Sequence, residues 1–478
     1  MENEPAPLQP ISTSSALHFM NFITTRLLAL LAFISHVTLA SAQEFQAGVG
    51  RADITPTEPI RLAGYAGRNK PHESIDQPIC TKALALRDSA GAITLIVTAD
   101  TIGVPRSFND ELAARIEREL KVPRERFLFA NSHSHSTPVI HGALTAMYSL
   151  EEKEARAVEA YTKFFLQKSF EAAQAAVKDL QPAKLAFGRS KAFVAGNRRQ
   201  FTPTGVRIGL NPEGLVDNDV PVLRIDRADG SLKAVVFGYA CHCTTPGATY
   251  EVSGDWAGYA QAHVEQTYAG ATALFITGCG ADANPQPRGS MLLARAHGLQ
   301  LAGAVARALT EPMRPVAGPI HAAFDRAELP LEKTPGKDYY EAKLKEKAPT
   351  TQRYAQRHLD MLARGEALMT SYPAPLQVLR FGDAFTLVAI SGETCVDYSF
   401  RLRRELPDER LWVAGYCNDV FAYVPSARVL IEGGYEADSS LIYYNFPTRF
   451  APAVEDTLVG KVLELFKKTG GNAPAPAR

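Results

Sequence analysis

Two histidines spaced two apart, His133 and His135, stand in Asn131-Ser132-His133-Ser134-His135-Ser136-Thr137-Pro138, directly behind the apolar run Phe127-Leu128-Phe129-Ala130. Imidazole is neutral near physiological pH and is the commonest protein ligand for a transition metal. The ends of other apolar runs carry groups of the same kind. His242 follows Val235-Val236-Phe237-Gly238-Tyr239-Ala240, Asp282 and Asn284 follow Phe275-Ile276, and Glu393 follows Leu387-Val388-Ala389-Ile390-Ser391-Gly392. Asp100 and Thr101 close an earlier run. Three histidines and a carboxylate brought to one edge of one sheet would make a hydrolytic zinc set. Taken singly, each is more often an exposed loop residue or a satisfied polar partner, so convergence separates the two readings. Cys241-His242-Cys243 sets thiols beside an imidazole. Small buried hydrophobes on a strand are the competing reading of that pair.

The elements that would position these groups alternate between strand and helix. Ala92 to Ala99 reads as a strand, 109–120 as an amphipathic helix, and the run into His133 as a second strand. Ser149-Leu150-Glu151-Glu152 has capping-box form and opens a long helix to about residue 180. Leu223 to Tyr239 reads as a hairpin around Ala228-Asp229-Gly230, and Ala273 to Ile276 as a further buried strand. Helices are expected over 291–310, 339–365 and 452–468, with a hairpin over 377–390 between the last two. Polar clusters at strand ends within such an order point to an α/β fold, a mixed central sheet flanked by helices in one large domain.

The whole chain sets outer limits. At 478 residues, 46% apolar and 21% charged, it is an ordinary globular composition, and Lys+Arg balances Asp+Glu at 51 each. That balance gives no ground for nucleic acid as a partner, and no obligate protein partner is inferred. Arg26, the apolar run Leu27 to Leu39 and Ala40-Ser41-Ala42 form a signal peptide over 1–42, a run too short to span a bilayer comfortably. Residues 1–19 make a poor leader, so Met20 is an alternative start. The catalytic domain is expected over 43–468, and a disordered Gly/Ala/Pro tail over 469–478. Export to the periplasm or outside would permit disulfides among Cys80, Cys241, Cys243, Cys279, Cys395 and Cys417, but no specific bridge is predicted.

The motifs, in order, resemble the neutral/alkaline non-lysosomal ceramidase family over most of the chain. Gln46 to Pro56 and Leu62-Ala63-Gly64-Tyr65 resemble the family's opening, and the paired histidines stand at its THSGP-like stretch. Phe237 to Thr245 resembles its second histidine strand, Gly278 to Gln286 its GD-x-(S/N)-P turn, and Ile390 to Leu406 its P-G-E segment. Tyr416 to Ser440 carries two tyrosines, Tyr423 and Tyr435, at the family's spacing of twelve. The resemblance implies one catalytic Zn2+ held by His133, His242, Glu393 and Tyr423, with metal-activated water cleaving a ceramide-like amide or an ester. It implies His135 as general base or acid, Tyr435 as donor to the developing oxyanion, and Arg198 as a substrate contact. It also implies a small-molecule or lipid substrate and contact with a membrane surface.

The chain departs from the family pattern at Asn284, where ceramidases carry a serine. An amide cannot act as an oxygen nucleophile but can hydrogen-bond a carbonyl. The chain is expected to be a divergent member without the C-terminal immunoglobulin-like domain. Asp255 and Asp282 read as loop- and helix-capping carboxylates. Two other classes remain open: an exported carbohydrate- or lipid-binding protein that kept the fold without the chemistry, and a hydrolase using Cys279 or Ser253. Gly278-Cys279-Gly280 lacks the flanks of a nucleophile elbow.

Overall fold

In this computed structural model the described residues are Pro7, 45–406 and 410–471. The expected signal peptide lies outside them apart from Pro7, as do residues 472–478 of the expected tail. Glu44–Arg478 forms one compact unit. Among the described residues, nine strands make the main sheet, eight of them in the order Thr272–Thr277, Leu232–Tyr239, Asp219–Arg227, Gln181–Lys191, Phe45–Asp53, Cys80–Arg87, Ile93–Ala99, Phe127–Asn131. Arg314–Val316 pairs with Gln181–Lys191 off that path. The sheet is mixed: Leu232–Tyr239 runs parallel to Thr272–Thr277, and Ile93–Ala99 parallel to Phe127–Asn131, while the middle pairs are antiparallel. The two end strands approach each other, Thr277 Oγ1 donating to Asn131 O at 2.7 Å. The sheet therefore curls until its edges meet at their C-terminal ends.

A second sheet of four strands, Ile320–Pro330, Ser371–Phe381, Phe385–Ile390 and Leu411–Ala414, fills the concave side. Leu84, Ile96, Leu128, Leu223 and Leu274 of the main sheet meet Leu379, Phe381, Phe385, Leu387 and Trp412 there. At roughly 1.5–3 kcal/mol for each side chain of this size, that layer is a major source of stability. Outside, helices Arg106–Leu120 and Glu152–Lys178 cover one half of the main sheet, and Asp255–Thr267 and Met291–Thr310 the other. Helices Val396–Glu405 and Val454–Lys468 close the far side of the four-stranded sheet. The result is a helix–sheet–sheet–helix sandwich, the mixed α/β class expected from the alternating pattern.

Close approach explains two glycines in the first strand. A Cβ at Gly48 would lie 2.1 Å from Ala176 O and one at Gly50 2.0 Å from Ala172 O, so either substitution would push the long helix off the sheet. That helix is capped two residues later than expected, by the reciprocal pair Glu151 and Glu154. The expected single helix over 339–365 is two, Lys337–Leu344 and Pro349–Ala363. Pro349 starts the second, where a missing N–H leaves no bond unmade. Thr469 to Gly471 close the last helix, with Arg380 donating to Thr469 O at 2.7 and 2.9 Å. Among the described residues no helix is long and apolar enough to cross a membrane.

Candidate active site

The curled sheet delivers His133 and His242 to one place from strands at opposite ends of its order. His133 follows Phe127–Asn131 in a left-handed turn at φ 61°, and its N–H donates to Thr101 O at 2.9 Å. A bridge between Ser134 and Cys243 ties this loop to the one after Leu232–Tyr239, where Trp256 Nε1 donates to His242 O at 2.9 Å. The four-stranded sheet supplies the rest. Glu393–Thr394, just past Phe385–Ile390, pairs in parallel with Tyr423–Val424, which sets Glu393 directly beside Tyr423. All four side chains are at most 3% exposed.

They converge. Glu393 Oε2 lies 3.0 Å from His133 Nε2 and 3.2 Å from His242 Nε2, and His242 Nε2 lies 3.1 Å from the Tyr423 hydroxyl. The tautomers follow from the other ring nitrogens: His133 Nδ1 meets Ile102 O at 2.6 Å and His242 Nδ1 meets Gly280 O at 2.8 Å. A carbonyl only accepts, so each Nδ1 carries the proton, and in the neutral ring each Nε2 presents a lone pair. Glu393 Oε2 is accordingly buried without a hydrogen-bond partner, although two nitrogens crowd it. Lone pairs pressed together at these distances, with no hydrogen between them, fit a cation at their common focus. Burial, followed by Arg198, pushes His242 down to about 3. His242 is thus neutral, as a ligand must be.

His135 completes a group of three buried or half-buried imidazoles whose ligand-capable nitrogens lie within 4.8 Å of one another. Its Nε2 stands 3.2 Å from His133 Nε2, and its Nδ1 faces Gly64 O at 3.2 Å. Arg198, expected as a substrate contact, is 5% exposed and engaged by the protein. Its Nε donates to Glu436 Oε1 at 2.8 Å, Nη1 to Asn284 Oδ1 at 3.3 Å and Nη2 to the Tyr423 hydroxyl at 3.1 Å. Asn284 Oδ1 also accepts from Thr244 Oγ1 at 3.2 Å, which turns the Nδ2 donor the other way. Tyr435 stands edge-on to Tyr423 with ring centroids 5.2 Å apart. All eight site residues named from the sequence therefore lie in one cluster.

Asp282 Oδ1 accepts from Val396 N at 2.9 Å, at the start of helix Val396–Glu405, and burial raises its carboxyl to about 7. Asp255 accepts from Thr245 N at 2.8 Å and Trp256 N at 2.6 Å, fixing the loop beyond His242. Both are the loop-holding carboxylates expected. Cys241 and Cys243 are buried with no metal-like grouping to other thiols, Cys243 Sγ donating to Ser132 O at 3.1 Å. Cys279 packs in the core of the four-stranded layer, and burial pushes its thiol up to about 12, unfit for a nucleophile. Two tyrosines at the site had no signal in the sequence. Tyr444 donates its hydroxyl to Glu393 Oε1. Tyr416, at φ 57°, lays its ring 4.4 Å from that of His133, with its buried hydroxyl unpartnered. Tyr444 ends a 3-10 turn and Tyr416 lies just past a strand end, where a tyrosine reads as ordinary core.

Over residues 45–290 the sequence matches the family described as neutral/alkaline non-lysosomal ceramidase, N-terminal. Among curated proteins, no sequence matches the chain. Two solved structures share the fold. One is a neutral ceramidase from Pseudomonas aeruginosa, 18% identical with a TM-score of 0.69, covering 91% of this chain and 76% of that one. The other, a ceramidase complexed with C2, is also 18% identical with a TM-score of 0.69, covering 91% of this chain and 77% of its own.

Proposed function

The chain belongs to the neutral/alkaline non-lysosomal ceramidase family, and from that premise we propose that it is an exported, zinc-dependent hydrolase of N-acyl amides, with esters as a second substrate class. The observation that carries the metal reading is the meeting of His133 Nε2, His242 Nε2 and Glu393 Oε2 with no donor among them. Tyr423 is the fourth ligand, a borderline-soft N2O2 donor set suited to zinc. When bound, the ion lowers the pKa of a water towards neutrality and polarises the scissile carbonyl.

The remaining work falls to the chain's own groups. His135, its Nδ1 proton anchored on Gly64 O, presents a bare Nε2 to take a proton from the attacking water and return it to the leaving amine. Arg198 donates to the Tyr423 hydroxyl, favouring the phenolate against the burial that raises its pKa. Asn284, with Oδ1 held by Arg198 and Thr244, offers Nδ2 to a substrate oxygen. Tyr435 donates to the oxyanion from the other side of Tyr423. No step uses a serine or cysteine nucleophile. The test is the metal content of the purified protein together with hydrolysis of a panel of N-acyl lipids, beside a His133→Ala/His242→Ala double variant. A metal-free, chelator-insensitive wild type that hydrolyses the panel would overturn the reading.

A further inference from the structure

At the backbone end of His135, opposite the nitrogen that faces His133, lies a cation the proposed chemistry does not use. Arg68 is 2% exposed. Its Nη1 donates to Ala63 O at 2.5 Å and to His135 O at 2.6 Å, and its guanidinium carbon lies 4.9 Å from the Tyr65 ring centroid. Nε and Nη2 are buried with no partner. Those two nitrogens form the edge with which a guanidinium grips a carboxylate. Arg189 of this same protein uses that edge on Asp219, at 3.1 and 2.6 Å.

The ionisable groups that act most on Arg68 are the phenols of Tyr65, Tyr148 and Tyr250, with no carboxylate among them, and burial lowers its pKa to about 10. A buried guanidinium left unpaired is costly, so a bare fork deep in the fold calls for an anion. Arg288 adds a second positive charge, donating from Nη2 to the Tyr65 hydroxyl at 3.2 Å. Among the described residues neither arginine forms an ion pair. Tyr65 links them to the reacting end, its ring 5.2 Å from that of His135.

We infer that Tyr65, Arg68 and Arg288 form an anion-recognition subsite beside His135, and that the amide substrate carries a carboxylate or comparable oxyanion on the portion lying there. The identity of the substrate as an amide rests on the function proposed above; the anion subsite does not. N-lauroylglycine and N-lauroylethanolamine differ in carboxylate against hydroxyl and make matched probes for the metal-loaded enzyme. Wild type is expected to favour the glycine conjugate by about 10- to 100-fold in kcat/KM, the range of a hydrogen-bonded charge pair. Arg68→Met abolishes that preference, read as the ratio of kcat/KM for the two probes so that a loss common to both cancels, whereas Arg68→Lys, which keeps the charge but not the fork, retains part of it.

Calorimetric binding of N-lauroylglycine separates the two readings. Binding weakened about tenfold by Arg68→Met, with no turnover of either probe, keeps the subsite and removes the hydrolase. Equal affinity and equal turnover of both probes in wild type overturns the subsite and reduces the bare edge to a hydrated structural arginine. Inorganic phosphate is the control for a free anion as occupant: if it tightens ethanolamide binding while the glycine conjugate shows no advantage, the assignment to substrate fails. Should Arg68→Met not fold, Arg288→Met reports on the same preference.

Discussion

Glu393→Gln sets the metal and the fold against each other. Glu393 Oε2 faces two imidazole nitrogens at 3.0 and 3.2 Å while Oε1 accepts from Tyr444. Glutamine can keep the Tyr444 bond through its oxygen and turn its amide towards both nitrogens, one N–H to each. Two new buried hydrogen bonds at about 1 kcal/mol apiece, plus relief of an unpaired buried acceptor, sum to roughly 2–4 kcal/mol in favour of the metal-free variant. With about 2.1 cal/mol/K per residue, unfolding entropy for a unit of this length is near 0.9 kcal/mol/K, so Tm should rise by about 2–4 °C. The variant loses a charged ligand and with it the response to zinc. Wild type at about a thousandfold excess over Kd gains roughly 4 kcal/mol and a similar rise in Tm. Scanning calorimetry at about pH 8.5, above the ordinary imidazole range, with chelator and with zinc, gives four values to compare. The expected order is chelated wild type lowest, both forms of the variant together above it, and zinc-loaded wild type at least as high. A chelated variant melting below chelated wild type would refute the idea that these lone pairs are held in wait for a cation.

Other outcomes follow from single groups. Asn284→Ala should leave folding and zinc content intact and cost about 100-fold in kcat on an N-acyl substrate, the range for loss of one oxyanion donor. Tyr416→Phe removes a buried, unpartnered hydroxyl and should be neutral or stabilising by about 1 kcal/mol in urea unfolding. Tyr416→Ala should cost about 3–5 kcal/mol by opening a cavity against His133. Burial raises the Asp419 carboxyl to about 7, where Tyr372 is its hydrogen-bond donor at 2.6 Å. The folded state therefore binds this proton more tightly than the unfolded chain, and stability falls as pH climbs from about 4 to about 7. Asp419→Asn should be close to wild type near pH 4 and more stable by roughly 2–4 kcal/mol near pH 8, measured by urea unfolding at both.

The part of the site legible in the sequence was the part made at strand ends. His133, His242 and Glu393 each follow a buried run, and a polar group there is placed by the run itself. Tyr423 was visible only through family resemblance, because Val420-Phe421-Ala422-Tyr423-Val424 reads as core and the pairing that sets it beside Glu393 joins residues far apart in the chain. Tyr444 and Tyr416 carry no local pattern at all. Arg198 was placed at the site but not in its relation to Tyr423 and Glu436, which depends on long-range hydrogen bonds. Within the fold, apolar periodicity found helix Met291–Thr310 to the residue. It passed over the hairpin Ala195–Thr202 and Gly205–Asn211, whose second strand is largely exposed and broken by Gly205 and Gly209. Pro349 marked a helix start that the continuing charge pattern masked.

The imidazoles come from the main sheet and the carboxylate and phenol from beyond the four-stranded one, Glu393 following His242 by 151 residues along the chain. The stretch that matches the family, 45–290, thus holds only one jaw of the clamp; Glu393 and Tyr423 are the other. An ion gripped by both would act as a rivet through two layers, and nicking the backbone within 364–370, ahead of Glu393 and Tyr423, would leave two fragments whose reassociation zinc should strengthen.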